Sequence, residues 1–401
     1  MQHTPCLRTR TFSRLCGGDV WLKYENLQRT GSYKIRGALN RILTLPEHAR
    51  QHGVIAASAG NHAQGVAVAA HLAGVPATIV MPKQAALAKV TATREYGARV
   101  VLYGEVFDES HAEALRIAEQ EGLYYVHPFD DTAVIAGQGT VALEILEDAA
   151  DLDALVVPVG GGGLIAGMAV AARSLRPAIR IVGVQASGAN PTYLAFHGRY
   201  QGPLASISTI ADGLATRRPG EVTLPIIRRY VDDIVTVDDD VIAEAVVLLM
   251  ERAKMVAEPA GVVALAALLA RAVQVEEGKQ VCAVITGGNV DLNLIDRILQ
   301  FGLGATGRHL RLRTQLTDRP GSLARLAALL AEQGANIFEV VHHRVGSSLS
   351  VNEVDLELTL EVRDHTHGEA VLQALKDNGY HTDVIRGPRT HHLLGPWKSG
   401  S

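Results

Sequence analysis

Aromatic residues, cysteines and long apolar runs are all scarce in this sequence, and each shortage narrows what the chain can be. Phe, Tyr and Trp make up only 4% of it, too few for the stacking platforms of a nucleic-acid binder. A net charge of −4 offers no basic surface to nucleic acid or to an anionic membrane. The three cysteines, Cys6, Cys16 and Cys282, are odd in number and far apart, and fit neither a disulfide framework nor a metal cluster. Apolar segments are short and broken by Gly or charge, so no transmembrane helix is expected. Met1 to Arg10 lacks the apolar stretch of a signal peptide, which points to a cytoplasmic protein. The composition, 47% hydrophobic and 20% charged, is that of a globular protein, and 401 residues suit two or three domains.

From Gly53 the pattern alternates strand and helix. Strands are expected at Gly53–Ser58, Ala77–Met81, Arg99–Tyr103 and Leu123–Val126, with helices at Asn61–Ala73, Ala85–Tyr96 and Asp108–Gln120 between them. A second series follows: helix Thr132–Ala149, strand Ala154–Val159, helix Leu164–Leu175, strand Ile179–Gln185, strand Ile234–Val237, helices Val241–Arg252 and Pro259–Ala272, and strand Val281–Ile285. This βαβ rhythm predicts parallel sheets covered by helices. Gln201 to Pro225 has little periodicity and reads as loops around a site. Beyond residue 309 the pattern changes to βαββαβ: strand Leu310–Leu316, helix Ser322–Glu332, strands Asn336–His342 and Val351–Val362, helix Gly368–Asp377 and strand His381–Ile385. That is a ferredoxin-like unit. The expected division is a catalytic region 1–303 with a small lobe at about 53–130, a linker 304–309, a small domain 310–387 and a tail 388–401 without pattern.

Four consecutive glycines, Gly160 to Gly163, follow an apolar strand and open a helix at Leu164. Such a loop can serve as a tight turn, for which one Gly suffices. It can also cradle a phosphate with its N–H groups and the helix N-terminus. It is neither the GxGxxG fingerprint nor a P-loop, so the phosphate belongs to something other than NAD or ATP. Lys34 taken alone reads as a surface charge. Set among Gly31, Ser32 and Gly37 at the start of a helix, it can instead project into a cleft and form a Schiff base with an aldehyde cofactor. Ser58, Ala59, Gly60, Asn61 and His62 form a strand-to-helix turn that can cap the helix and also receive a carboxylate. Thr286-Gly287-Gly288-Asn289 is the analogous turn after strand Val281–Ile285.

The segments Gly31-Ser32-Tyr33-Lys34-Ile35-Arg36-Gly37, Ser58 to Gly65, Ala136 to Thr140, Pro158 to Leu164, Glu258 to Gly261 and Thr286 to Val290 together resemble the threonine/serine dehydratases. These belong to the β-family of pyridoxal-phosphate (PLP) enzymes, the tryptophan synthase β-like fold, which also contains serine racemase. Asp318-Arg319-Pro320-Gly321-Ser322-Leu323 and Gly334 to Ile337 resemble an ACT regulatory domain. The resemblance implies a two-lobed α/β catalytic domain, pyridoxal 5'-phosphate as cofactor and an amino acid as substrate. Lys34 would carry the cofactor and remove the substrate Cα proton. Gly160, Gly161, Gly162, Gly163 and Leu164 would hold its phosphate, Asn61 its 3-hydroxyl, Ser58 to His62 the substrate carboxylate. Thr286 would face the pyridine nitrogen and Glu258 would lie near the ring. In the small domain Asp318, Pro320, Gly321 and Asn336 would receive an amino-acid effector, and a homo-oligomer, dimer or tetramer, is implied.

The implied reaction is dehydration and deamination of L-threonine, with L-serine as a further substrate. Serine racemase/dehydratase and hydroxyaspartate dehydratase are alternatives within the fold, and a catalytically silent amino-acid sensor is one outside it. Retention of Lys34 with the whole glycine cradle argues against a silent protein. Three departures stand out: an N-terminal helix common in relatives is missing, Tyr33 stands where Phe is more usual, and Gln185 and Pro191 occupy positions where some relatives hold a divalent ion. No metal site is expected, since His342-His343 and His391-His392 lack partners at ligand spacing.

Overall fold

The computed structural model describes residues 1–305, 307–343 and 352–385, so the 388–401 tail and His391-His392 lie outside the described residues. The chain divides into two compact units, Met1–Asp291 and the part from Leu292 onward. The helix Leu292–Ala305 belongs to the second unit and packs on its first strand, so the division falls ahead of the 304–309 linker.

The first unit holds ten strands: β1 Cys6–Arg8, β2 Asp19–Tyr24, β3 Val54–Ala57, β4 Ala77–Met81, β5 Arg99–Leu102, β6 Tyr124–Tyr125, β7 Ala154–Pro158, β8 Arg180–Ala186, β9 Asp233–Val237 and β10 Gln280–Ile285. They form a six-stranded sheet, β1-β2-β10-β7-β8-β9, and a four-stranded sheet, β5-β4-β3-β6. Only β1 runs antiparallel to its neighbour. Helices cover the sheets, which is why β3 and β7 read as continuous apolar runs rather than alternating ones. One core lies around Leu155, Val157, Ile165, Met168 and Ile181, another around Ile35, Val54, Ala63, Ile79 and Val134.

Helix α1, Lys34–Leu43, packs Ile35, Ala38 and Ile42 into the second of these cores. Helix α2, Asn61–Ala73, crosses it where a Cβ on Gly65 would lie 3.2 Å from the Lys34 Cβ. Helix α3, Thr132–Asp148, crosses where a Cβ on Gly137 would lie 2.5 Å from the Arg36 carbonyl oxygen. Two motif glycines are therefore helix-crossing points. Helix α2 stops at Gly74, which takes the left-handed conformation (φ +65°) open to a residue without Cβ.

Behind α1 lies a buried ionic cluster. The Arg36 guanidinium donates to Glu25 (2.8 Å to each oxygen) and to Glu144 (2.5 and 2.8 Å). Lys23 Nζ donates to Glu144 (2.7 Å) and to the Thr4 carbonyl (2.6 Å). Burial disfavours the Arg36 charge, yet the bonds to Glu144 and Glu25 outweigh it and hold the guanidinium above its ordinary value. Those to Arg36 and Lys23 hold Glu144 below the ordinary carboxylate value despite burial.

Asp238-Asp239-Asp240 reads in the sequence as a cap for the helix that follows, and 201–225 as loops; the structure corrects both. Asp238 occupies the N-cap of helix Asp239–Leu248 but makes no side-chain cap; Asp239 instead accepts from the Thr209 hydroxyl (2.6 Å) and the Ile210 amide (2.9 Å), pinning the preceding loop. The stretch 201–225 holds a turn at Asp212–Leu214, and its last three residues open helix Thr223–Tyr230, too short to announce itself by periodicity.

Among its described residues the second unit has four strands: β11 His309–Thr317, β12 Asn336–His343, β13 Glu353–Glu361 and β14 Thr382–Val384. They form an antiparallel sheet in the order β12-β13-β11-β14. Leu312, Leu316, Val354, Leu356 and Leu358 bury one face with Leu326 and Leu330 of helix Ser322–Glu332 and Val371 and Leu375 of helix His365–Asp377. This is the ferredoxin-like arrangement.

Candidate active site

Three strand-to-helix turns and the start of α1 converge in the first unit. Ser32 pairs with Gly287 as an isolated bridge, and the Tyr33 amide donates to the Thr286 carbonyl at 3.2 Å. The Lys34 turn is thus built onto the end of β10. Lys34 Nζ donates to the Pro128 carbonyl at 3.1 Å.

Asn61 opens α2. Its side-chain N–H donates to Glu258 Oε1 at 2.6 Å, and its oxygen accepts from Asn289 at 2.7 Å. An amide carries two N–H groups, so one remains to be offered. A Cβ on Gly287 would lie 2.3 Å from Glu258 Oε1, so glycine there lets the carboxyl approach the chain. Burial, with Asp212 adding to it, pushes the Glu258 carboxyl up to about 7. Thr286 is buried, and its hydroxyl donates to the Ala260 carbonyl at 3.5 Å.

The Ser58 hydroxyl accepts from the Gly60 amide at 3.0 Å. The N–H groups of Ala59, Asn61 and His62 have no partner among the described residues. The His62 ring is turned away, bonded to the Val126 carbonyl at 2.9 Å, and burial and then Lys34 push it down to about 3. It is neutral at neutral pH and contributes its backbone to the turn. His127 is likewise neutral, pushed down to about 4 by burial, and its Nδ1 accepts from the Asp130 amide at 2.7 Å.

Gly160 to Gly163 join β7 to helix Gly163–Leu175. The N–H groups of Gly160 through Leu164 have no partner among the described residues. A Cβ on Gly161 would meet the Phe129 ring at 2.4 Å, and Gly162 has φ +92° with Thr223 Oγ1 2.9 Å from where its Cβ would lie. Both positions exclude a side chain, which a simple turn does not require. Phe129, Asp130 and Thr223, which brace this loop, were not singled out from the sequence. Their only signal was the acidic pair Asp130-Asp131 ahead of a helix, of which Asp131 does cap α3.

A family described as "Pyridoxal-phosphate dependent enzyme" matches residues 1–287. The chain belongs to that family. An ACT domain matches residues 311–379. An L-threonine ammonia-lyase of Thermotoga maritima is 46% identical over 386 residues, 96% of either chain. The processed form of threonine deaminase isoform 2 from Solanum lycopersicum is 36% identical with a TM-score of 0.71, over 75% of this chain and 88% of that one. Maize serine racemase is 35% identical with a TM-score of 0.71, over 75% of this chain and 93% of that one.

The residues present fit the PLP group. The glycine loop offers unpaired N–H groups at a helix N-terminus, the arrangement an anion needs. A lysine amine and a buried polar cluster of Asn61, Glu258 and Thr286 accompany it. Among the described residues no group of three or more His, Cys, Asp or Glu can hold a metal ion. Gln185 is engaged in the fold, donating to the Val159 carbonyl at 3.1 Å and accepting from the Tyr193 amide at 2.7 Å. No helix among the described residues is long and apolar enough to cross a membrane.

In the second unit, Asp318 donates its amide to the Asn352 carbonyl at 2.7 Å. Gly321 (φ +87°) is the N-cap of helix Ser322–Glu332, without a side-chain cap bond, and Pro320 precedes it. Asn336 opens β12 and donates to Glu361 at 3.1 Å.

Proposed function

We propose that this chain is an L-threonine ammonia-lyase that converts L-threonine to 2-oxobutanoate and ammonia, with L-serine, giving pyruvate, as a second substrate. The observation that carries this reading is the location of Lys34. Its amine lies 3.1 Å from the carbonyl of Pro128, the neighbour of the Phe129 that packs on Gly161 and Gly163. Amine and anion cradle therefore share one wall, as a phosphorylated aldehyde requires. The similarity to relatives named L-threonine ammonia-lyase supplies the substrate.

In this reading the Lys34 amine would hold the cofactor and, once the substrate's own amine has displaced it, would be free to take the substrate Cα proton. The amides of Gly160 to Leu164 would hold the phosphate, and the remaining N–H of Asn61 would be offered to the ring's 3-hydroxyl. The amides of Ala59, Asn61 and His62, with Ser58 and Gly60 shaping the turn, hold the substrate carboxylate. The cofactor, when bound, supplies the electron sink that makes the Cα–H acidic. Thr286 would face the ring nitrogen with a neutral hydroxyl, where an aspartate would hold a proton on it. Glu258, whose carboxyl burial pushes up to about 7, would add little charge beside the ring below that pH. The β-hydroxyl leaves as water, and addition of water releases ammonia and the 2-oxoacid.

A racemase needs a second acid–base group on the opposite face of the substrate. Ala59 presents only a methyl where racemase-like relatives carry Ser, so elimination is favoured. The proposal extends to an amino-acid effector at Asp318, Pro320, Gly321 and Asn336, and to a cytoplasmic homo-oligomer, dimer or tetramer, since ACT domains usually bind ligands where two copies pair. The test is steady-state 2-oxoacid release from L-threonine, L-serine and 3-hydroxyaspartate. The largest kcat/KM is expected for L-threonine. Turnover of 3-hydroxyaspartate alone, or serine racemisation without 2-oxoacid release, overturns the reading.

A further inference from the structure

The glycine loop does not hold its own shape. Gly161 is fixed through its carbonyl, which accepts from the Thr223 hydroxyl at 2.7 Å. The C=O of Gly161 and the N–H of Gly162 share one rigid peptide plane and point in opposite directions. Whatever aims the first aims the second. Thr223 is in turn fixed by Asp130, whose carboxylate accepts from the amides of Glu221 (2.8 Å), Val222 (2.8 Å) and Thr223 (3.1 Å). These are the free N–H groups at the amino end of helix Thr223–Tyr230, and a carboxylate there is favoured by both hydrogen bonding and the helix dipole. A Cβ on Gly220 would meet Thr223 Oγ1 at 2.4 Å, Asp130 Oδ1 at 2.6 Å and the Gly161 oxygen at 3.0 Å, so the three groups meet over a bare backbone.

Asp130 sits in a short clip, His127 to Asp131. Pro128 accepts from Lys34, Phe129 covers Gly161 and Gly163, and Asp131 caps α3. We infer that Asp130 is a positioning residue for the phosphate-binding loop: it sets Thr223, Thr223 sets the Gly161 carbonyl, and the Gly162 N–H is thereby aimed into the cradle. This rests on the reading of Gly160–Gly163 as the cofactor phosphate site.

The test compares pyridoxal 5'-phosphate with pyridoxal, which lacks the phosphate, in absorbance titrations of the cofactor-stripped full-length protein. Wild type should prefer the phosphorylated form strongly. Asp130→Ala should weaken pyridoxal 5'-phosphate on the order of 10-fold, and Thr223→Val about 3- to 10-fold, while pyridoxal moves less than about 2-fold. Asp130→Asn, which keeps one acceptor oxygen, should fall between wild type and Asp130→Ala. Equal weakening of both compounds marks a general folding role and overturns the inference, as does unchanged phosphate preference in both Asp130→Ala and Thr223→Val. If Asp130→Ala does not fold, Thr223→Val decides alone. A wild type that does not distinguish the two compounds refutes the phosphate-site reading itself, a different outcome from loss of preference in the variants.

Discussion

The Asn61 amide donates to Glu258 at 2.6 Å, joining the first turn of one helix to a buried carboxyl held up at about 7. Burial raises that value and Asp212 adds to it, while the Asn61 bond and the lysines Lys89 and Lys34 oppose the rise. Because the folded value lies above 4.5, the protonated carboxyl favours the fold below pH 4.5, and this contribution is lost as pH rises through about 7. The loss is on the order of 3 kcal/mol. Glu258→Gln should remove it. Urea midpoints at pH 4.5, 6 and 8 for the two proteins measure the difference; parallel curves sink the assignment of a raised value to Glu258.

Lys34→Ala should abolish threonine turnover and the visible absorbance of lysine-bound cofactor. Its far-ultraviolet dichroism should match wild type, because Lys34 begins a helix whose packing is carried by Ile35, Ala38 and Ile42. A variant with near-wild-type activity refutes the role.

Gly161→Ala places a methyl 2.4 Å from the Phe129 ring. Overpacking of this kind costs about 1–3 kcal/mol of stability. Cofactor binding should weaken as well, since the ring and the loop must part. Phe129→Ala in the same chain should restore much of the stability; thermal melting of the double variant measures it.

Ala59→Ser should introduce measurable D-serine formation from L-serine, because a hydroxyl then stands where a methyl now does. Wild type should give pyruvate far faster than D-serine. Chiral chromatography of the products checks both, and comparable rates in wild type refute the elimination-only reading.

Truncation at Gly307, tested with isoleucine and valine as candidate effectors, addresses the ACT domain. Effector coupling should alter threonine affinity by about 5- to 150-fold in the full chain and not in the truncated one. Calorimetry showing no binding of either amino acid, with activity and assembly unchanged on truncation, removes the regulatory role.

Much of this architecture was readable in advance. Helices Asn61–Ala73 and Ser322–Glu332 and strand Ala77–Met81 were delimited by period and by glycine stops. Elements without such signals were missed. Strand β2 carries Lys23 and Tyr24 into the core, which no apolar pattern announces. Helix Thr223–Tyr230 has Pro225 inside it and two arginines near its end. The sequence singles out Lys34 and the four glycines because the proposed chemistry demands those residue types. It does not single out Phe129, Asp130 and Thr223, whose parts depend on neighbours up to 93 residues away. A sequence read locally shows which residues can do chemistry, and long-range contacts decide which residues aim them.

The cluster of Lys23, Glu25, Arg36 and Glu144 also constrains how this chain can change over time. Removing one member strands a buried charge and costs about 3–5 kcal/mol, whereas exchanging the whole set for apolar residues of equal volume can be neutral. Single steps away from the present set therefore lead downhill in fitness even where a distant combination is as good. A library that randomises the four positions together should recover folded sequences absent from every single-site scan.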